Sequence, residues 1–86
     1  MRERTEHTVR LALNLLRLLH SYEGIGKKAG MYELVEALET NYHTLQRVVR
    51  ALEKNGLIVV EPYEKKNVPR LTEQGRCVAK CLISGA

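Results

Sequence analysis

The sequence predicts a mainly α-helical fold with one small β-hairpin, and three observations support this prediction. Apolar residues recur at helical spacing over 31–38 and again over 42–55. A β-branched run at 57–60 and a second short apolar segment at 68–71 flank a polar turn. Two helices joined by a tight turn and followed by a hairpin make a winged helix-turn-helix, so the predicted fold class is α+β.

Capping residues predict where the helices begin and end. Asn41 can accept a hydrogen bond from an unpaired amide of the next turn, so the second helix of the motif, the reading helix, should begin after it. Gly56 follows the last turn of the reading helix and suits a left-handed C′ position. Thr72 is the corresponding N-cap of a last helix that ends near Ile83.

The segment 51–75 reads ALEKNGLIVVEPYEKKNVPRLTEQG. It resembles winged helix-turn-helix transcription regulators, in which Leu-Glu-x-x-Gly-Leu-Ile precedes the wing and Leu-Thr-x-x-Gly follows it. The multiple-antibiotic-resistance-regulator (MarR) and PadR types, and small winged-helix proteins of archaea and their viruses, are nearest in pattern over roughly residues 28–82. The resemblance implies a short strand over 27–29 and a C-terminal helix that packs with helix one at a dimer interface. The chain lacks the long additional helices of MarR proteins.

The 86 residues fit one domain, 1–86, with a net charge of +4 from 14 basic and 10 acidic residues. The distribution of charge is more informative than the total. Residues 31–41 carry three Glu and neither Lys nor Arg, whereas residues 42–70 carry six basic and three acidic side chains. The reading helix and the wing are therefore the electropositive part of the motif, which suits a polyanion.

The reading helix is expected to enter the major groove of double-stranded DNA. Long hydrogen-bond donors lie opposite its apolar stripe, and there Arg can bond guanine O6 and N7, whereas Gln can bond adenine N6 and N7. Tyr32 and Thr40 of the preceding helix are expected near the backbone. The alternative is that this face is ordinary solvated charge. The candidate DNA-binding residues of the reading helix are Tyr42, His43, Gln46, Arg47, Arg50 and Lys54.

The wing is predicted over 61–68, with Lys65, Lys66 and Asn67 at its tip. The two lysines can lie along phosphates or in the minor groove, and Arg70 near the hairpin base can do the same. The two prolines suit edge-strand positions, where a missing amide does no harm. A wing tip also collects solvated charge without any partner, which is the alternative interpretation.

Helix one is predicted over 5–22, with an apolar arc of about 220°, much wider than the stripe of a surface helix. Val9 and Leu13 belong to its core stripe, whereas Leu11 and Leu18 would face water in a single chain. We interpret the excess as a homodimer interface. The alternative is that the wing and the last helix cover it within one chain. The candidate interface residues are Leu11, Leu15, Leu18, Cys77, Cys81 and Leu82.

The cysteines and histidines do not predict a metal site. Cys77 and Cys81 are separated by three residues on a helix, unlike a zinc knuckle, and the three His follow no ligand spacing. Two uses of the cysteines stay open: small buried apolar residues, or an intersubunit disulfide across a two-fold axis. The sequence also contains no phosphate-binding glycine motif and no organised catalytic pair, so we expect a non-enzyme without cofactors.

No stretch of the sequence resembles a targeting or membrane segment. The N-terminus is charged, and the Leu-rich run that follows contains Asn14 and Arg17. A membrane-spanning helix needs about 20 predominantly apolar residues. We therefore expect a cytoplasmic protein with no membrane partner.

These observations predict a homodimeric, sequence-specific DNA-binding regulator of transcription whose operator is an inverted repeat. One alternative from another class is a winged helix used as a protein-protein interaction module. A second alternative is a non-specific, chromatin-associated DNA binder, which the modest charge favours less. Steep salt dependence distinguishes DNA binding from a protein contact, and base preference distinguishes a regulator from a packaging protein.

Overall fold

The computed structural model describes the backbone of residues 2–84 and the side chains of residues 7–84. A helix-turn-helix is followed by an antiparallel hairpin and is flanked by an N-terminal and a C-terminal helix. The predicted α+β fold class, a winged helix-turn-helix, is confirmed. In chain order the elements are α1 (Arg2–Gly24), α2 (Met31–Ala37), α3 (Tyr42–Lys54), β1 (Ile58–Tyr63), β2 (Lys66–Leu71) and α4 (Glu73–Ser84).

A residue with left-handed backbone conformation lies two positions after the last residue of both α2 and α3. Gly56 follows α3 with φ +76°, its amide donates to Glu53, and the Leu57 amide reaches back to the Leu52 carbonyl. These two bonds are those of a Schellman motif, so the predicted C′ glycine is confirmed. Glu39 takes the same position after α2, with φ +52°. This compact turn brings α3 across α2.

The hairpin is longer and its turn tighter than predicted. Tyr63 pairs with Lys66, which leaves two residues in the turn instead of the whole polar segment expected between residues 60 and 68. In an antiparallel ladder of this register, pairs that exchange backbone hydrogen bonds alternate with pairs that do not. Pro62 and Pro69 both fall in the second kind of pair, so neither removes a ladder bond. Both strands can therefore continue through their prolines.

Residues 27–30 form no strand in the part of the chain that the structure describes, and the sheet has only β1 and β2. The short first strand expected over 27–29 is therefore wrong. Ala29 is buried against the core instead, and Lys28 extends over the Tyr63 ring at 4.6 Å. This segment is held by its side chains and not by a backbone ladder.

Helix α1 lies at the centre of the core, and this overturns part of its interpretation. Leu11 is 4% exposed and Leu15 is fully buried, so both are covered within one chain by the elements that pack on α1. Val9, expected in the core, is 53% exposed. Leu18 is half-buried beside a cleft that it shares with Leu38, the C-cap residue of α2. A helical projection gives the width of an apolar arc, but it cannot say which elements will cover it.

Candidate nucleic-acid interface

Helix α3 buries one face and exposes the other. Asn41 caps it, because the Asn41 side-chain oxygen accepts from the Thr44 amide at 2.8 Å. Leu45, Val48 and Val49 are buried in the core. Six of its other side chains, which we call the α3 surface, are exposed or, for Gln46, partly exposed. The α3 surface consists of Tyr42, His43, Gln46, Arg47, Arg50 and Lys54.

The cations of the α3 surface have no acidic partner among the described side chains. Three salt bridges form between residues 7 and 84, and none includes Arg47, Arg50 or Lys54. An anion that binds these groups therefore breaks no ion pair with a described side chain. Arg47 lies on the flank that faces α1, where it lines a cleft of about 240 Å³ with Thr8 and Ala12. The opposite flank faces α2.

The wing carries its cations differently. The Lys66 ammonium lies 2.7 Å from a Glu33 oxygen, and the Arg70 guanidinium lies 2.7 Å from a Glu61 oxygen. The predicted tip is wrong in part, because the tight turn leaves only Glu64 and Lys65 there and places the two following residues in β2. Among the wing cations proposed from sequence, Lys65 alone has no ion-pair partner among the described residues.

Glu33 fastens the wing to the start of α2. One of its oxygens accepts from the Lys66 ammonium at 2.7 Å and from the Gly30 amide at 3.3 Å. The hydrogen bond from Lys66 lowers the pKa of Glu33, and the same bond raises the pKa of Lys66. The stem of Lys66 passes so close to Gly30 that a Cβ there would lie 3.0 Å from its Cδ atom.

Two features of this surface were not predicted. Glu33 and Lys66 are 33 positions apart, and no local pattern pairs them. Tyr32 was expected only near the backbone of DNA, but its ring packs against that of Tyr42, with centroids 5.0 Å apart. The signal available in the sequence was an aromatic residue off the apolar stripe of α2.

Both cysteines lie on the exposed side of α4. Cys77 and Cys81 are free thiols and are exposed, so the alternative that they are small buried residues is wrong. Leu82 is half-buried against the core. The start of α4 lies beside the end of α1, because Arg76 donates to Glu23 at 3.2 Å. The intersubunit disulfide stays a prediction.

No cluster of three or more His, Cys, Asp or Glu side chains that could hold a metal ion occurs in the described part of the chain. Within the same part, no helix is long and apolar enough to cross a membrane.

Comparison of the sequence with models of protein families gave no match, and comparison with curated proteins gave none either. Solved structures match in fold. AF1382 from Archaeoglobus fulgidus is 16% identical, with a TM-score of 0.81 over 87% of this chain and 82% of that one. SSV1 F-93 is also 16% identical, with a TM-score of 0.64 over 81% of this chain and 82% of its own.

MepR, a transcription regulator of the Staphylococcus aureus multidrug efflux pump MepA, is 19% identical, with a TM-score of 0.79. The match covers 86% of this chain and 54% of MepR, so the chain spans about half the length of that regulator. At these identities the likeness concerns the fold alone. The chain therefore has the winged helix-turn-helix fold that occurs in transcription regulators of the MarR-like type.

Proposed function

We propose that this chain is a sequence-specific double-stranded DNA-binding regulator of transcription that acts as a homodimer and has no catalytic role. The observation that carries the proposal is the α3 surface. It exposes Arg47, Arg50 and Lys54, none of which forms a salt bridge with an acid among the described side chains. An α-helix with long donors on one side fits the major groove, where Arg and Gln distinguish bases.

The wing supports the same orientation. Lys65 in its turn is available for a phosphate, whereas Lys66 and Arg70 must exchange a carboxylate for a phosphate before they contribute. Their contribution is therefore smaller than that of an unpaired cation, because each exchange replaces one ion pair by another. We propose that the wing lies along the flanking backbone or minor groove while α3 occupies the major groove.

We place the interface of the proposed homodimer on the exposed side of α4. Leu11 and Leu15 are covered within one chain, so we now assign the contact to Cys77, Cys81 and the exposed edge of Leu82. A two-fold axis beside this helix would present two identical α3 surfaces. The expected operator is an inverted repeat whose half-site centres lie about 10 bp apart, one turn of DNA.

A protein-protein interaction module is the second candidate. It is favoured by two exposed apolar residues, Val9 and Ile83, which are each about half exposed. Such a contact buries apolar surface and responds weakly to salt. Non-specific packaging of DNA would depend on salt but show no base preference.

The deciding experiment is random-site selection followed by a salt titration on the selected and an unrelated duplex. A regulator enriches a defined site, prefers it over the unrelated duplex, and loses affinity steeply as salt rises, because counterions rebind to DNA. No enrichment with steep salt dependence favours packaging. No salt-dependent binding at all contradicts the proposal and favours the protein-interaction module.

A further inference from the structure

Tyr32 and Tyr42 form an exposed aromatic pair beside the first turn of α3. Tyr32 is the second residue of α2 and Tyr42 is the first residue of α3. Their ring centroids are 5.0 Å apart, with the planes inclined by 34°. Tyr32 is 76% exposed and Tyr42 is 36% exposed. The two rings therefore support each other at the surface.

Neither ring belongs to the hydrophobic core, so core packing does not explain the pair. The contact between the rings still holds Tyr42 in place, because tilted aromatic pairs at this distance attract each other. A ring that is already held loses little conformational freedom when a partner binds. The pair is thus a preformed apolar surface at the end of the helix that, in this fold, usually penetrates deepest into the major groove.

Gln46 follows Tyr42 by four residues, so the two side chains are neighbours on the α2-facing flank of α3. In the major groove the apolar feature of a base pair is the C5-methyl group of thymine, and Gln is the side chain that matches adenine. Both features belong to an A·T pair. Arg47, one of the two guanine-matching side chains of the α3 surface, lies on the other flank.

Resting on the proposed function, we propose that Tyr42 reads the C5-methyl group of a thymine. Tyr32 is the positioning residue that holds the Tyr42 ring, and Gln46 reads an adenine of the same or the next base pair. The α2-facing flank of α3 therefore selects A·T pairs.

The test replaces each thymine of the selected site by uracil, which removes only the methyl group and keeps base pairing. At one position in each half-site, this replacement should lower the affinity of the protein about three- to fivefold, which corresponds to the free energy of burying one methyl group. Tyr42→Phe should keep this ratio, because the ring makes the contact. Tyr42→Ala should bind the thymine and uracil sites equally.

Tyr32 acts through Tyr42, so Tyr32→Ala should reduce the thymine-to-uracil ratio and Tyr32→Phe should restore it. A merely structural role would weaken binding to both duplexes and leave the ratio unchanged. Tyr63→Ala is the matched control, since Tyr63 is similarly exposed but lies on the wing. That variant should keep the parent's ratio.

Two results overturn the inference while leaving the proposed function intact. One is salt-dependent, site-specific binding with equal affinity for thymine and uracil at every position. The other is a Tyr42→Ala variant that keeps the full ratio. A parent protein with no salt-dependent binding to DNA overturns the proposed function itself and the inference with it.

Discussion

Gly75, in the first turn of α4, lies directly against the backbone carbonyl of Leu57, between α3 and β1. A Cβ atom at position 75 would overlap the Leu57 oxygen and lie 3.0 Å from its carbonyl carbon. Thr72 makes two hydrogen bonds at this contact. Its amide donates to the Leu57 carbonyl at 3.0 Å, and its hydroxyl accepts from the Gly75 amide at 3.1 Å. The Leu-Thr-x-x-Gly pattern thus has a packing reason. The glycine lets α4 begin against the end of α3.

Gly75→Ala should destabilise the fold by about 1–3 kcal/mol, because the group that it would meet is backbone and cannot turn aside. Urea unfolding followed by circular dichroism measures the change. Gly24→Ala is the matched control, since a Cβ there meets nothing within 4 Å. It should leave stability unchanged or slightly higher. Equal stability of the two variants would contradict this account of the motif.

Glu33→Gln should strengthen binding to DNA of any sequence. Gln keeps the size of the side chain and can still accept from Gly30, but it removes the charge that holds Lys66. Lys66 then becomes available to a phosphate, and the slope of log affinity against log salt should steepen by about one. Fluorescence anisotropy on two unrelated duplexes at several salt concentrations measures both quantities.

The control for Glu33→Gln is Glu36→Gln. Glu36 is exposed on the same helix and is in no salt bridge with a described residue. The Glu36→Gln change removes the same charge as Glu33→Gln but does not release a lysine from an ion pair. If both variants raised affinity equally, with unchanged slopes, net charge and not the Lys66 pair would explain the effect.

The Glu33–Lys66 pair should separate at both ends of the pH range. The pKa of Glu33 is lowered from 4.5, so its contribution to stability is present above that value and is lost as pH falls through the lower folded value. The pKa of Lys66 is raised from 10.5, so its contribution is intact below that value and is lost as pH rises through the higher folded value.

An NMR titration of the Glu33 carboxyl carbon tests the acid limb. In the parent, the midpoint should lie below the ordinary value of 4.5, and Lys66→Met should move it upward. A parent midpoint at or above the ordinary value would mean that the pair does not form in solution.

Cys81→Arg should give a monomer if the exposed side of α4 is the homodimer interface. Sedimentation of the parent should then give about twice the 9.8-kDa chain mass, and the variant should give one chain mass. Ile83→Arg, on the other side of the same helix by its spacing, should stay dimeric. A parent that sediments as a single chain at micromolar concentration contradicts the homodimer.

Mild oxidation is a second test of the proposed interface on α4. If Cys77 or Cys81 lies near the two-fold axis, a disulfide-linked dimer should appear on non-reducing gels, and the matching Cys→Ser variant should remove it.

Local signals in the sequence predicted the elements well. Asn41 and Gly56 mark the ends of α3 through bonds that involve only neighbouring residues, and the structure contains those bonds. The apolar spacing of α3 likewise determined which residues face outward. For such short-range features the chain carries the physical cause within a few positions, so a sequence is sufficient to predict them.

Features that depend on distant residues could not be predicted in this way. The prediction that Leu11 faces water in a single chain is wrong because the elements that cover it are not visible in a helical projection. The predicted wing tip is wrong in part because the turn sets the register in which the two strands pair. The sequence between the strands has no Asn-Gly or Asp-Gly signal that would locate this turn. The pairing of Lys66 with Glu33 depends on the wing folding back on α2, which no local pattern indicates.

The most direct test of the central claim is the affinity of Arg47→Ala and Arg50→Ala for the selected site and for an unrelated duplex. If either Arg bonds a guanine, its loss should cost about 1–3 kcal/mol on the selected site and relax base preference. Lys65→Ala is the control: it should weaken both duplexes alike and lower the salt slope by about one. If both Arg variants bind the selected site as tightly as the parent does, α3 does not read the DNA.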